Sequence, residues 1–239
     1  MTQLSVAEEV CEAFPALTIA AVTATGLRSG PWQEPERLLA ALEADAASGA
    51  WQPLSEDDPR LASWQAAYRA FGTNPRRMRP SVDALSRRLA KSGRLPRISP
   101  VVDAYNAVSV THGVPAGAFD LAAVRGDIRV RYAREGESFL PLGQPDGPEE
   151  ARPGEVVYAD EAAEHPVLTR HWNHRDSDRT KVTPQARDVL FLLEAVDADA
   201  GAKAVHAAVE QLTALLAPRA GRVVTHLLTA GAPAAQLSD

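Results

Sequence analysis

The chain has 239 residues, a net charge of −6, 45% hydrophobic and 23% charged residues. That is enough chain to bury a large core, and the composition is that of a globular protein rather than a disordered or fibrous one. The acidic balance excludes a protein coated in nucleic acid, and no apolar run reaches the roughly 18 residues that would span a bilayer.

The N-terminus, Met-Thr-Gln-Leu-Ser-Val-Ala-Glu-Glu-Val, lacks a basic region followed by an apolar stretch, so no signal peptide is expected. Cys11 is the single cysteine, so no internal disulfide can form. Together these features predict a cytoplasmic protein with no membrane partner. Residues 4–13 read as a short helix. Thr18, Ile19, Val22 and Thr25 belong to an apolar run stopping at Gly26, which predicts a buried strand.

Helices are expected over 34–48, after Pro35, and over 60–71, where Trp64 and Tyr68 share a face. Ser81 is expected to cap a helix over 82–92 that stops before Gly93. Between Arg69 and Arg97 lie nine Lys or Arg against one acid, Asp83, a net +8. Such a segment is either a footprint for phosphate or a solvated helix face.

Residues 99–112 read as an apolar helix with Pro100 in its first turn. It carries Asp103 and Asn106, and a polar group buried without a hydrogen bond costs about 1–3 kcal/mol. Gly113 and Gly117 flank Pro115 and would bring backbone N–H groups toward a ligand. Strands are expected at 128–133, 138–142, 156–159 and 167–172, with a loop over 143–155. A β–α–β unit follows: strand 189–193, a helix started by Asp197 or Asp199 and ending near Leu216, and strand 222–228. The last ten residues read as frayed.

Several catalytic signatures are absent: no Gly-x-Ser-x-Gly elbow, no phosphate loop and no Gly-x-Gly-x-x-Gly. His171 and His174 could begin a metal site, but nothing nearby completes a ligand set, so no metal or cofactor is expected. Cys11 reads as a buried structural thiol. The segment Arg170–Thr180 is too polar for a core strand, and Glu194 closes an otherwise apolar strand, where a carboxylate needs a partner or a ligand.

The ordered run Arg94-Leu95, Pro100-Val-Val-Asp103, Asn106, then Gly113-x-Pro115 and Ala118-Phe119-Asp120 resembles the B3/B4 domain of the phenylalanyl-tRNA synthetase β subunit. Trp64, Tyr68-Arg69, Phe71-Gly72, Asn74-Pro75, Arg79-Pro-Ser and Arg170-His-Trp-Asn-His-Arg look more like the free-standing B3/B4 proteins. The resemblance covers roughly 60–230 and implies one α+β domain of mixed B3/B4 type, with 1–59 as a strand and helix packed on the core and 231–239 as a frayed tail.

The synthetase domain edits: it hydrolyses tyrosine wrongly attached to the phenylalanine tRNA. Residue by residue, its Thr-Asn pair falls on Tyr105 and Asn106, its histidine on Gly117, its backbone turn near Thr169 and Arg170, and its side-chain-reading glutamate on Glu194. The bulkier Tyr105 and the loss of imidazole at Gly117 imply a different pocket shape. Asn106, His171 and His174 are therefore the candidate catalytic residues, and Tyr105, Gly117, Thr169, Arg170 and Glu194 the candidate substrate contacts. Arg76, Arg77, Arg79, Arg87 and Arg88 are expected to meet tRNA phosphates, with Trp172 stacking on the terminal base. The resulting expectation is a trans-acting deacylase of the aminoacylated tRNA 3′ end, with no DNA partner. Two alternatives stay open: a tRNA- or RNA-binding module without hydrolysis, and a protein binding a free amino acid or small amide.

Overall fold

The computed structural model describes residues 2–144 and 146–237. The elements run β1 (Gln3–Val6), α1 (Glu8–Ala13), β2 (Thr18–Thr25), α2 (Gln33–Ser48), α3 (Pro59–Ala70), α4 (Ser81–Ser92), α5 (Pro100–His112), β3 (Ala116–Asp120), β4 (Ile128–Tyr132), β5 (Ser138–Phe139), β6 (Glu149–Glu150), β7 (Val156–Asp160), β8 (Thr169–Arg170), β9 (Arg175–Asp176), β10 (Val189–Ala195), α6 (Ala200–Leu216), β11 (Arg222–Thr229) and β12 (Ala234–Gln236).

Two four-stranded sheets dominate, ordered β12-β1-β4-β7 and β11-β2-β10-β3. Period-two alternation along β10 decides what each face meets. Val189, Phe191 and Leu193 point to α5 and α6, in a cluster with Tyr105, Val108, Val205 and Leu212. Leu190 and Leu192 point the other way, against Ile128, Val130, Val156, Tyr158 and Trp172. The layers are therefore helices, sheet, second sheet. Glu194, two residues beyond Leu192, faces the space between the sheets.

Local chemistry sets the helix ends. The Ser99 side chain accepts from the Val102 N–H at 3.4 Å, Pro100 opens α5, and Gly113 ends it at φ +69°. The Asp58 carboxylate caps α3 by accepting from the Arg60 N–H at 3.0 Å, ahead of Pro59. The β–α–β unit is present with an insertion: β10 and β11 both run antiparallel to β2, which lies between them.

Several expectations are corrected. Residues 3–6 form a strand rather than the start of a helix, pairing parallel to β4 and antiparallel to β12. The segment 1–59 is not an addition to a finished core, because β2 is an inner strand of the main sheet. The tail is not frayed over 231–237: Ala234, Ala235 and Gln236 pair with Ser5, Leu4 and Gln3, and Leu237 is buried. Residues 238 and 239 lie outside the described residues. The expected strand 167–172 narrows to Thr169–Arg170, because His171 and Trp172 turn the chain in the left-handed region at φ 48° and 66°. Ser81 does not cap α4; Pro80 holds that position with no side-chain bond. No helix among the described residues is long and apolar enough to cross a membrane.

Candidate active site

A cavity of about 230 Å³ opens at the β3 edge of the main sheet, where β7, β8 and β9 meet it. Its polar lining includes Gly117, Tyr158, Thr169, Asn173, His174, Arg175, Asp176 and Glu194, with Phe119, Leu142, Trp172 and Leu192 as apolar sides. The start of α4 also reaches it through Ser81, whose hydroxyl is buried without a hydrogen-bond partner.

Glu194 is 2% exposed and held by three neutral donors. The Tyr158 hydroxyl and the Trp172 Nε1–H donate to Oε1 at 2.5 and 2.8 Å, and the Asn173 Nδ2–H donates to Oε2 at 2.9 Å. Behind Asn173, the Tyr68 hydroxyl donates to its Oδ1 at 2.8 Å. Burial raises the Glu194 pKa, and the three donors act against that rise. Since a carboxylate offers about four acceptor sites, about one remains for a ligand.

Asp176 behaves differently. It is partly exposed, accepts no hydrogen bond among the described residues, and its pKa is pushed up to about 7 by desolvation and by the negative charge of Glu194. Gly117 stands opposite: a Cβ there would lie 3.7 and 3.8 Å from the two Asp176 carboxylate oxygens. His174 Nδ1 lies 2.8 Å from the Arg79 carbonyl oxygen. A carbonyl can only accept, so Nδ1 carries the proton and Nε2 keeps its lone pair. Desolvation lowers the His174 pKa, which keeps the ring neutral near pH 7.

The structure gathers only some of the residues expected from the sequence. Gly117, Thr169, Trp172, His174 and Glu194 line the cavity; Asn106, Tyr105, Arg170 and His171 do not. Asn106 and Tyr105 ride on α5, on the face of the sheet opposite Glu194, where the Tyr105 ring packs against Phe191 at 6.1 Å. Arg170 and His171 are engaged with the fully buried Glu155: the Arg170 guanidinium pairs with it, and His171 Nδ1 lies 2.7 Å from its Oε2 and 2.9 Å from Thr73 Oγ1. Burial raises the Glu155 pKa, and the His171 and Arg170 contacts more than reverse this, leaving it below the usual value. His171 is thus a structural anchor. Trp172 is fully buried, with Trp64 and Phe14 edge-on at 5.1 Å each, so no base can stack on it. The N–H of Gly117 is not free for an oxyanion either. The flanking bonds Glu194 N–H to Pro115 O and Leu121 N–H to Asp188 O assign the odd β3 residues to the β10 side of the ladder. Gly113 lies away from the cavity, beside Arg60 and Leu54.

The B3/4 domain family matches residues 63–217, well over half of the sequence. The chain belongs to that family. Curated relatives of this B3/4 protein are phenylalanine–tRNA ligase β subunits. The one from Chromobacterium violaceum is 43% identical over 83 residues, 35% of this chain and 10% of the ligase subunit. The one from Nocardia farcinica is 37% identical over 121 residues, 51% and 14% respectively. The B3/4 protein thus spans only 10–14% of the length of these relatives. Among solved structures, an N-terminal fragment of the phenylalanyl-tRNA synthetase β subunit from Pyrococcus horikoshii aligns with 92% of this chain and 49% of its own, at 15% identity and a TM-score of 0.46.

Sequence reasoning missed Asp176, Asn173 and Tyr158. Asp176 and Asn173 lie inside the polar segment 170–180, which the sequence marks as a whole without showing which of its side chains point inward. Tyr158 carried a usable signal: an inward tyrosine on β7 needs a partner for its hydroxyl. The basic segment of this B3/4 protein is also less free than its composition implies. Arg79 and Arg87 both bind Asp83 at 2.8 Å, and Arg97 pairs with Glu36 and Glu43. Arg76, Arg77 and Arg88 are exposed and form no ion pair among the described residues.

Proposed function

We propose that this B3/4 protein hydrolyses the ester between an amino acid and the 3′ end of a tRNA, acting in trans, with the amino-acid side chain seated in the Glu194 cavity. The observation that carries the reading is the cavity itself: one lining holds a buried carboxylate oriented by three donors and a neutral imidazole with a free Nε2. An ester to ribose is already activated, so no covalent nucleophile is needed.

In this reading His174 Nε2 takes a proton from water as the water oxygen adds to the ester carbonyl carbon. The bond from that carbon to the ribose oxygen then breaks, and the imidazolium returns the proton to the leaving hydroxyl. Glu194 contributes at the far end, where its remaining acceptor site orients the amino acid. A separate hydrolytic pocket has a physical purpose, because one methylene is worth only about 1–3 kcal/mol in a binding site. The cavity also connects to the basic segment. The carbonyl of Arg79, just past exposed Arg76 and Arg77, holds His174, and Ser81 lines the wall. Phosphates of an acceptor stem bound along that loop would lie close to the cavity mouth.

The test is ester loss from a panel of correctly and incorrectly charged tRNAs, measured with purified protein at about 50 and 200 mM salt. Turnover above the buffer rate is expected for at least one mischarged species, falling at the higher salt because phosphate contacts release counterions. Turnover is expected to drop at least tenfold in His174→Ala and to be unchanged in Asn106→Ala. Buffer-rate hydrolysis across the whole panel would remove the deacylase reading.

A further inference from the structure

We propose that the amino acid received by this cavity carries a cationic side chain, an ammonium or a guanidinium, placed between Asp176 and Glu194. The inference rests on the reading that the cavity receives an aminoacyl group, and it names the class.

Two carboxyl groups share one small lining, and neither is paired with a cation among the described residues. The donors on Glu194 are a phenol, an indole and an amide, all neutral. Asp176 has no donor, and across from it Gly117 offers no side chain. The other ionisable groups of the lining do not compensate. Arg175 is turned away, 3.5 Å from Glu149 and 5.7 Å above the Phe139 ring. His174 is held by the Arg79 carbonyl and is neutral near pH 7. The Tyr158 phenol is pushed up by burial and by the nearby Glu194 carboxylate, so it stays neutral.

A low-dielectric pocket with two carboxyls and no counter-charge binds most strongly what supplies that charge. The upward push on Asp176 by Glu194 is the repulsion that a bound cation would relieve. A tyrosine side chain would offer the one open site of Glu194 a donor but leave Asp176 uncompensated. The α-ammonium that every aminoacyl ester carries supplies one positive charge, and a basic side chain supplies the second.

Calorimetric titration with L-lysinamide, L-argininamide, L-norleucinamide and L-tyrosinamide at about pH 8 reads this directly, without RNA and without turnover. Lysinamide or argininamide is expected to bind at least tenfold tighter than norleucinamide, and Asp176→Asn is expected to shrink that ratio to less than threefold. Equal or tighter binding of the norleucine or tyrosine amide, no binding of any of the four, or a ratio that survives Asp176→Asn would overturn the proposal. Failure here is separable from failure of the deacylase reading: a tRNA panel hydrolysed with neutral side chains preferred would keep the second and discard the first.

Discussion

Glu194→Ala should unfold this protein far more readily than it perturbs any single contact, with Tm falling by about 10 °C. Removing the carboxylate strands the Tyr158 hydroxyl, the Trp172 Nε1–H and the Asn173 Nδ2–H in the space between the two sheets. Each unsatisfied buried donor costs about 1–3 kcal/mol, and partial relaxation brings the sum to about 3–5 kcal/mol. For a chain of this length about 1 kcal/mol corresponds to about 2–4 °C. Glu194→Gln should be much milder, about 1–2 kcal/mol. Its carbonyl can accept from Tyr158 and Trp172, and rotation of the Asn173 amide would offer Oδ1 to the new NH₂ while the Tyr68 hydroxyl accepts in turn. Thermal unfolding of the two variants side by side decides the matter. Equal losses would show that the hydrogen bonds are not what Glu194 supplies, and the Gln form is the proper variant for any test of activity.

Asp176→Asn should do the opposite and stabilise the protein, but only at neutral to alkaline pH. The folded state raises the Asp176 pKa from 3.8 to about 7. A carboxyl so raised costs nothing below about pH 4, where it is protonated in both folded and unfolded chains. Between about pH 4 and 7 the unfolded chain ionises first, so stability falls as pH rises, and the full penalty is present above about pH 7. At about 1.36 kcal/mol per unit the ceiling is about 4 kcal/mol, and the partial exposure of Asp176 reduces the expected gain to about 2 kcal/mol at pH 8, with none at pH 4. Urea unfolding of both proteins at the two pH values measures it. A gain independent of pH would mean that the asparagine packs better rather than that the carboxylate is strained. A group kept at such a disadvantage beside a cavity fits a ligand-binding role better than a structural one.

Some helix ends follow local rules that the sequence shows. Pro100 opens α5 and Gly93 ends α4 as expected, because proline and glycine act over a few residues, whereas Ser81 does not cap α4. The apolar run of β10 with one carboxylate near its end marks Glu194 as a group that needs partners, and three donors meet it in the fold. What the sequence hides depends on distant partners. Residues 3–6 form a strand only because β4 and β12, more than a hundred residues away, lie on either side. The tail is ordered for the same reason.

The site was harder to read. Family correspondence alone placed Asn106 beside Glu194, whereas the sheet stands between α5 and that carboxylate. The left-handed turn at His171 and Trp172 contains no glycine, so no turn signal marks the spot. That turn buries His171 away from the cavity and leaves Trp172, Asn173 and His174 on its wall, with Trp172 fully buried rather than free to stack on a base. The charge of the basic segment was legible, but its partial neutralisation by Asp83, Glu36 and Glu43 was not, because the last two lie on α2 and meet Arg97 only in the folded chain.

The most direct test of the central claim is the structure of the protein bound to a 3′-aminoacylamino-3′-deoxyadenosine, in which an amide replaces the scissile ester. The account predicts the amino-acid side chain inside the cavity, touching Asp176 and Glu194, with the amide carbonyl carbon within one water of His174 Nε2. An analogue bound elsewhere on the surface, with that cavity left vacant at saturation, would contradict it.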